Sequence, residues 1–260
     1  MTSPGLLAGR RIVVTRAVDQ VGTLSALLAD AGAVVIEVPT IAIVEPLDGG
    51  AGLNVAVAAA AEPATAGGYD WIVVTSGNGA SRLVTAARSA GLSREDVSAR
   101  IAVVGPGTAD VLGAYGWSVE LVPERFVGEG LVEAFDEGPG RVLVAQAEAA
   151  RPIVVDGLRA KGWTVDAVIA YRTIPAVLDA SLIAHAASAD AITFTSSSTV
   201  ANYVQAAGAA NVPDVVVCIG PVTAATARER GLEVTAVAAE HSLPGLVSAT
   251  IGALDGSVTS

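Results

Sequence analysis

Apolar residues along this chain fall into short runs, each followed by a longer stretch in which they recur every three or four positions. Arg11–Thr15, Ile101–Gly105, Arg141–Ala145, Ala191–Thr195 and Val215–Ile219 are such runs. They are rich in β-branched residues and too short for ordinary helices, so they predict buried strands. Between them, Gln20–Ala31 carries Val21, Leu24, Leu27, Leu28 and Ala31 on one helical face, and Gly32 closes it. Strands are further predicted at Val34–Val38, Ser118–Val122, Thr164–Val168 and Glu233–Val237. Helices are predicted before Pro63, over Ala80–Ala90, after Gly107, through Leu131 and Phe135, up to Lys161, up to Arg230 and from Ser242. Leu254–Ser260 reads as a frayed tail. Alternating strand and helix throughout predicts an α/β protein whose parallel sheets carry helices on both faces.

The pattern is written twice. Asp70–Val84 (DWIVVTSGNGASRLV) and Asp190–Val204 (DAITFTSSSTVANYV) align position for position, with Asp70 matching Asp190, Thr75 matching Thr195 and Ser76 matching Ser196. Gly105-Pro-Gly-Thr108-Ala109 returns as Gly220-Pro-Val-Thr223-Ala224, and Ala31-Gly32-Ala33 is answered by Lys161-Gly162-Trp163. The expectation is an internal duplication with two lobes, each a five-stranded parallel sheet flanked by helices. The loop DEGPG at Asp136–Gly140 is short enough to lie within a domain. Pro39–Pro46 and Ile169–Pro175 are extended and share a Thr-Ile pair. These features predict one lobe from residues 47–168 and a discontinuous one from residues 1–39 with 175–260. Residues 40–46 and 169–174 are then expected to form a two-stranded linker.

Composition narrows the function. Of 260 residues, 52% are hydrophobic and 16% charged, which excludes general disorder. The net charge of −11 argues against non-specific binding to nucleic acid or to an anionic membrane. Cys218, the single cysteine, rules out a disulfide within the chain and fits a reducing compartment. Met1–Gly9 lacks an apolar core of signal-peptide length, and the most apolar window, Leu53–Ala61, is far below the roughly 18–20 residues of a membrane span. A soluble, cytoplasmic monomer is expected.

Candidate chemistry gathers where strands run into helices. A strand that empties into a helix through a hydroxyl-rich turn leaves free backbone N–H groups, a seat for an anion. Ser76, Ser196 and Ser197 occupy two such turns, and Thr108 and Thr223 begin helices after glycine-proline turns. Arg16 follows the first strand directly and, with Arg151, would offset the acidic balance locally. Helix capping alone also accounts for the serines, at about 1 kcal/mol each. The two roles are compatible, because a capped N-terminus still presents other N–H groups. Cys218, inside VVVCIG, reads as a buried strand residue. His185 and His241 have no partners at metal-ligand spacing, so no metal site is expected.

Taken in order, the motifs resemble those of the uroporphyrinogen-III synthase family. They are Val14-Thr15-Arg16, Asp70-x4-Thr75-Ser76-x-Asn78-Gly79, Val104-Gly105-x2-Thr108-Ala109, Val168-x2-Tyr171-Arg172-Thr173, Phe194-Thr195-Ser196-Ser197 and Ile219-Gly220-Pro221-x-Thr223-Ala224. The match runs in register from about Arg11 to Ile251. It implies cyclisation of hydroxymethylbilane, a linear tetrapyrrole with eight carboxylates, to uroporphyrinogen III, with loss of water and inversion of ring D. It also implies that no cofactor takes part and that Tyr171 is catalytic. Arg16, Ser76, Thr108, Ser196, Ser197 and Thr223 would then bind the carboxylates at the strand ends.

Three other classes compete. A non-catalytic tetrapyrrole-sensing or regulatory module would usually need an output domain, and none is expected after Leu254. A two-lobed solute-binding protein would need a secretion signal. A nicotinamide oxidoreductase is the weakest, because Asp110 stands where the third small residue of a dinucleotide fingerprint belongs.

Overall fold

A computed structural model of the chain describes residues 5–15 and 18–256. The chain divides into two compact units, residues 1–42 with 174–260 and residues 43–173. The first unit opens with strand β1 (Arg11–Val14), helix α1 (Val18–Asp30) and strand β2 (Val34–Glu37). Strand β3 (Ile41–Val44) leads into the second unit, which continues with α2 (Ala51–Ala59), β4 (Trp71–Val74), α3 (Gly77–Ser89), β5 (Arg100–Val103) and α4 (Pro106–Ala114). It then adds α5 (Gly128–Ala134), β6 (Arg141–Ala147), α6 (Ile153–Ala160) and β7 (Thr164–Pro175). The first unit resumes with α7 (Ala180–Ala187), β8 (Ala191–Phe194), α8 (Ser197–Ala207), β9 (Val215–Cys218), α9 (Pro221–Glu229), β10 (Ala236–Val237) and α10 (Leu243–Leu254).

Each unit holds one five-stranded sheet, ordered β10-β9-β8-β1-β2 in the first and β3-β7-β6-β4-β5 in the second. The ladders joining β10, β9, β8, β1 and β2 are parallel, as are those joining β7, β6, β4 and β5. Because successive side chains of a strand point to opposite faces, each sheet builds two cores. Ile72 and Val74 pack with Leu83, Val84 and Leu143 on one face, while Trp71 and Val73 pack with Leu131, Phe135 and Leu158 on the other. In the first unit Val13, Ile192 and Phe194 face one core, and Ile12, Val14 and Val217 face the other. Burying each such side chain contributes about 1.5–3 kcal/mol.

Both aspartates that mark the repeat are structural. Asp70 accepts the Arg141 N–H at 2.8 Å, and Asp190 accepts the Arg11 N–H at 2.7 Å. Each carboxylate therefore fixes the start of the strand next to its own.

The strands expected at Ser118–Val122 and Glu233–Val237 are cut short, for the same physical reason. Glu120 folds its carboxylate back to accept the Ile101 N–H at 2.6 Å, so a side chain takes a donor that a ladder would use. Pro123 follows, and a single bridge from Leu121 to Ala102 remains. The fifth place in that sheet goes to β3 instead. In the first unit Thr235 Oγ1 accepts the Val216 N–H at 3.1 Å, leaving only the two residues of β10. Helix α3 begins three residues before the expected Ala80, because Ser76 caps it. Strand β7 continues past the expected end at Val168 through the segment read as a linker, to Pro175.

Candidate functional site

Parallel strands finish on one edge of their sheet, so each unit collects its strand-to-helix turns there. In the second unit Val74 passes through Thr75 to Ser76, whose extended backbone (φ −160°) makes it the N-cap of α3. Ser76 Oγ accepts the Gly79 N–H at 3.1 Å. A Cβ on Gly79 would lie 3.4 Å from the Ala145 carbonyl oxygen, so the missing side chain lets the first turn of α3 sit close to β6. Gly105 caps α4 in the same extended geometry without a side chain, and Thr108 is buried in the first turn.

A register shift in β7 brings Tyr171 to this edge. Gln146 pairs with Ile169, but Ala147 pairs with Tyr171, so Ala170 is the extra residue of a β-bulge. Strict alternation would send Ala170 and Tyr171 to opposite faces. Both are instead buried in the same core, with Ile72, Val74 and Leu83. The phenol thereby reaches Ser76, with 3.0 Å between Tyr171 OH and Ser76 Oγ. Two residues 95 positions apart, one expected to be catalytic and one expected to bind substrate, share a hydrogen bond.

In the first unit Ser196 caps α8 and forms a capping box with Thr199. Its Oγ also lies 3.0 Å from Ser198 Oγ. Ser197 turns toward α9, where its hydroxyl accepts from Thr226 Oγ1 at 2.8 Å and donates to the Val222 carbonyl at 3.4 Å. Thr223 is buried in the first turn of α9. Neither the Thr108 nor the Thr223 hydroxyl has a hydrogen-bond partner among the described residues. Arg16 lies outside the described residues. Thr15 Oγ1 donates to the Thr193 carbonyl and Thr193 Oγ1 to that of Val13, so the buried threonines here tie β1 to β8.

Sequence reading did not single out Gln146. It is the next-to-last residue of β6, on the opposite face from Tyr171, and lines a cavity of about 280 Å³ together with Thr75, Val104, Phe126, Arg151 and Val154. Gln146 Oε1 is buried with no hydrogen-bond partner among the described residues. No motif marks it, since a glutamine at a strand end is common. Cys218 is buried in β9, and burial pushes its thiol up to about 11, so it stays neutral near pH 7. Among the described residues no group of three or more His, Cys, Asp or Glu side chains is arranged to hold a metal ion, and no helix is long and apolar enough to cross a membrane.

The profile of the family described as uroporphyrinogen-III synthase HemD matches residues 22–248. The chain belongs to the uroporphyrinogen-III synthase family. The uroporphyrinogen-III synthase of Synechococcus elongatus is 35% identical over 257 residues, covering 94% of this chain and 95% of that protein. Two solved structures share the fold of this family member. A uroporphyrinogen-III synthetase from Helicobacter pylori has a TM-score of 0.55 at 14% identity, covering 94% of this chain and 99% of its own. A mutant uroporphyrinogen III synthase from Thermus thermophilus has a TM-score of 0.54 at 21% identity, covering 95% and 100%.

Proposed function

We propose that this chain is an active uroporphyrinogen-III synthase, a hydro-lyase that closes hydroxymethylbilane to uroporphyrinogen III with loss of water and inversion of ring D. Family membership supports the reaction, and the hydrogen bond between Ser76 and Tyr171 is the observation that carries the assignment of a site. A phenol anchored through its oxygen is held in one orientation. With the Ser76 hydroxyl donating to it, its own O–H is free to protonate the departing hydroxyl of the substrate. Hydroxide is a poor leaving group, so a positioned acid assists that step. The site must also hold ring D so that its substituted carbon attacks before simple closure, which is a matter of orientation.

For the carboxylates we propose Arg16, Ser76, Thr108, Ser196, Ser197 and Thr223. The support for the serines and threonines is their place at helix caps and first helical turns, where backbone N–H groups are left free, and for Arg16 its position in the sequence just after β1. Such fixed dipoles hold a polyanion without a lysine-rich surface, in keeping with a chain of net charge −11. The lack of a cofactor, a cytoplasmic location and a monomeric state belong to the same reading.

Incubation with freshly prepared hydroxymethylbilane, followed by separation of product isomers, tests the proposal. Isomer III is expected. Isomer I alone, the product of spontaneous closure, overturns it and leaves the non-catalytic alternative.

A further inference from the structure

Arg172 follows Tyr171 and shares the bulge that places it. Because successive strand residues face opposite ways, Arg172 turns away from the core that takes Tyr171. Ala147, the last residue of β6, pairs with Tyr171, and the Glu148 N–H donates to the Tyr171 carbonyl at 3.0 Å. Arg172 therefore stands just past the end of β6, on the edge where the strand-to-helix turns of the second unit collect. Its side chain is only 24% exposed, yet its five N–H donors make no hydrogen bond among the described residues. Glu148 Oε2 lies 3.4 Å from Nε, but Nε is buried without a hydrogen-bond partner. It is the only Arg172 nitrogen both buried and unpartnered, so the two Nη groups keep solvent access. Other well-covered arginines differ. Arg94, 18% exposed, donates to the Val97 carbonyl and to Glu120, and Arg141 donates to the Gly68 carbonyl and to Asp166.

Ordering a long side chain and sealing its Nε costs free energy that no hydrogen bond here returns. The open end is a planar fork of N–H donors. Such a fork selects an anion, and it matches a carboxylate in two parallel bonds. Apolar and cationic groups gain nothing there. We propose that Arg172 is a binding residue for one carboxylate of the substrate, held through both Nη groups. That this carboxylate belongs to a tetrapyrrole rests on the function proposed above. Glu148 opposes it. Its own carboxylate, 45% exposed, sits beside the same guanidinium and repels the incoming one.

The test titrates uroporphyrinogen III, kept reduced under anaerobic conditions, into the full chain by calorimetry at several salt concentrations. Arg172→Gln should weaken binding about 10-fold or more, the effect of losing hydrogen bonds from a charged group. The gap from wild type should narrow as salt rises. Arg172→Lys keeps the charge and loses the fork, so its affinity should fall between the two. Glu148→Gln should tighten binding about 2–5-fold by removing the like charge, the scale of an exposed ion pair. Opposite signs are diagnostic, because a merely structural ion pair would weaken binding when broken from either side. Thermal unfolding checks that each variant is folded, and if Arg172→Gln is not, Arg172→Lys and Glu148→Gln still decide. Equal affinity of wild type and the Arg172 variants, or weaker binding by Glu148→Gln, overturns the assignment. Product-isomer analysis separates it from the reaction. Isomer III from wild type with affinity indifferent to Arg172 sinks this assignment alone, whereas isomer I sinks the reaction whatever Arg172 does.

Discussion

The Tyr171 hydroxyl lies 3.0 Å from Ser76 Oγ, and the same Ser76 Oγ caps α3 by accepting the Gly79 N–H. One oxygen thus serves a helix start and a phenol together. The anchor is as rigid as the helix it caps, and what disturbs the cap disturbs Tyr171.

Tyr171→Phe is expected to retain formation of isomer III and to lose rate by roughly 10–100-fold, near or below the low end for a positioned acid. Bilane closes by itself, so the barrier to ionisation is already low and orientation carries the selectivity. Single-turnover rates together with isomer ratios check this. Loss of isomer III in a folded variant would give Tyr171 a larger part, and an unchanged rate would remove it from the chemistry.

Ser76→Ala removes cap and anchor together. Stability should fall by about 0.5–2 kcal/mol, measured by urea unfolding. Rate should fall less than in Tyr171→Phe. In the double variant, the Ser76→Ala substitution should cost little further rate, because its catalytic effect passes through the phenol. Additive losses would show that Ser76 acts by itself, for instance on a carboxylate.

Ser196→Ala and Ser197→Ala separate capping from binding. Ser196→Ala should cost about 1 kcal/mol of stability through loss of its cap. Ser197 bridges to Thr226 rather than capping, so Ser197→Ala should cost about 0.5–1.5 kcal/mol, one hydrogen bond. If either also binds a carboxylate, affinity for product falls beyond what stability explains, and the fall shrinks as salt screens the interaction. Unchanged affinity in both would leave these serines with structural duties only.

Stability should decline from about pH 9 to pH 12. Burial raises the Cys218 thiol from 9.0 to about 11 and the Tyr203 phenol from 10.0 to about 12. Between each pair of values the unfolded chain has lost a proton that the folded chain keeps, so rising pH favours unfolding. The contribution is complete below pH 9 and disappears as the folded values are passed. Cys218→Ala and Tyr203→Phe should each flatten the slope of unfolding free energy against pH in that window. Identical slopes in all three proteins would refute the assignment.

Much of the architecture was written in local pattern. Short β-branched runs made strands, three-to-four spacing made helices, and Ser76 and Ser196 stood where the backbone wanted caps. Those outcomes depend on neighbours within a few residues, which a sequence displays directly. Tertiary structure decided where a distant group competed. Glu120 and Thr235 took strand donors for their own side chains, and β3, at the opposite edge beside β7, became the fifth strand in place of Ser118–Val122 beside β5. Ala170 slipped the register of β7 against β6, turning Tyr171 onto the core face where Ser76 waits. Gln146 carried no signal, since an orphaned acceptor exists only once the walls around it have assembled. Hydrophobic period and capping are near-neighbour energies, whereas register, sheet edges and unsatisfied polar atoms depend on what the rest of the fold brings beside them.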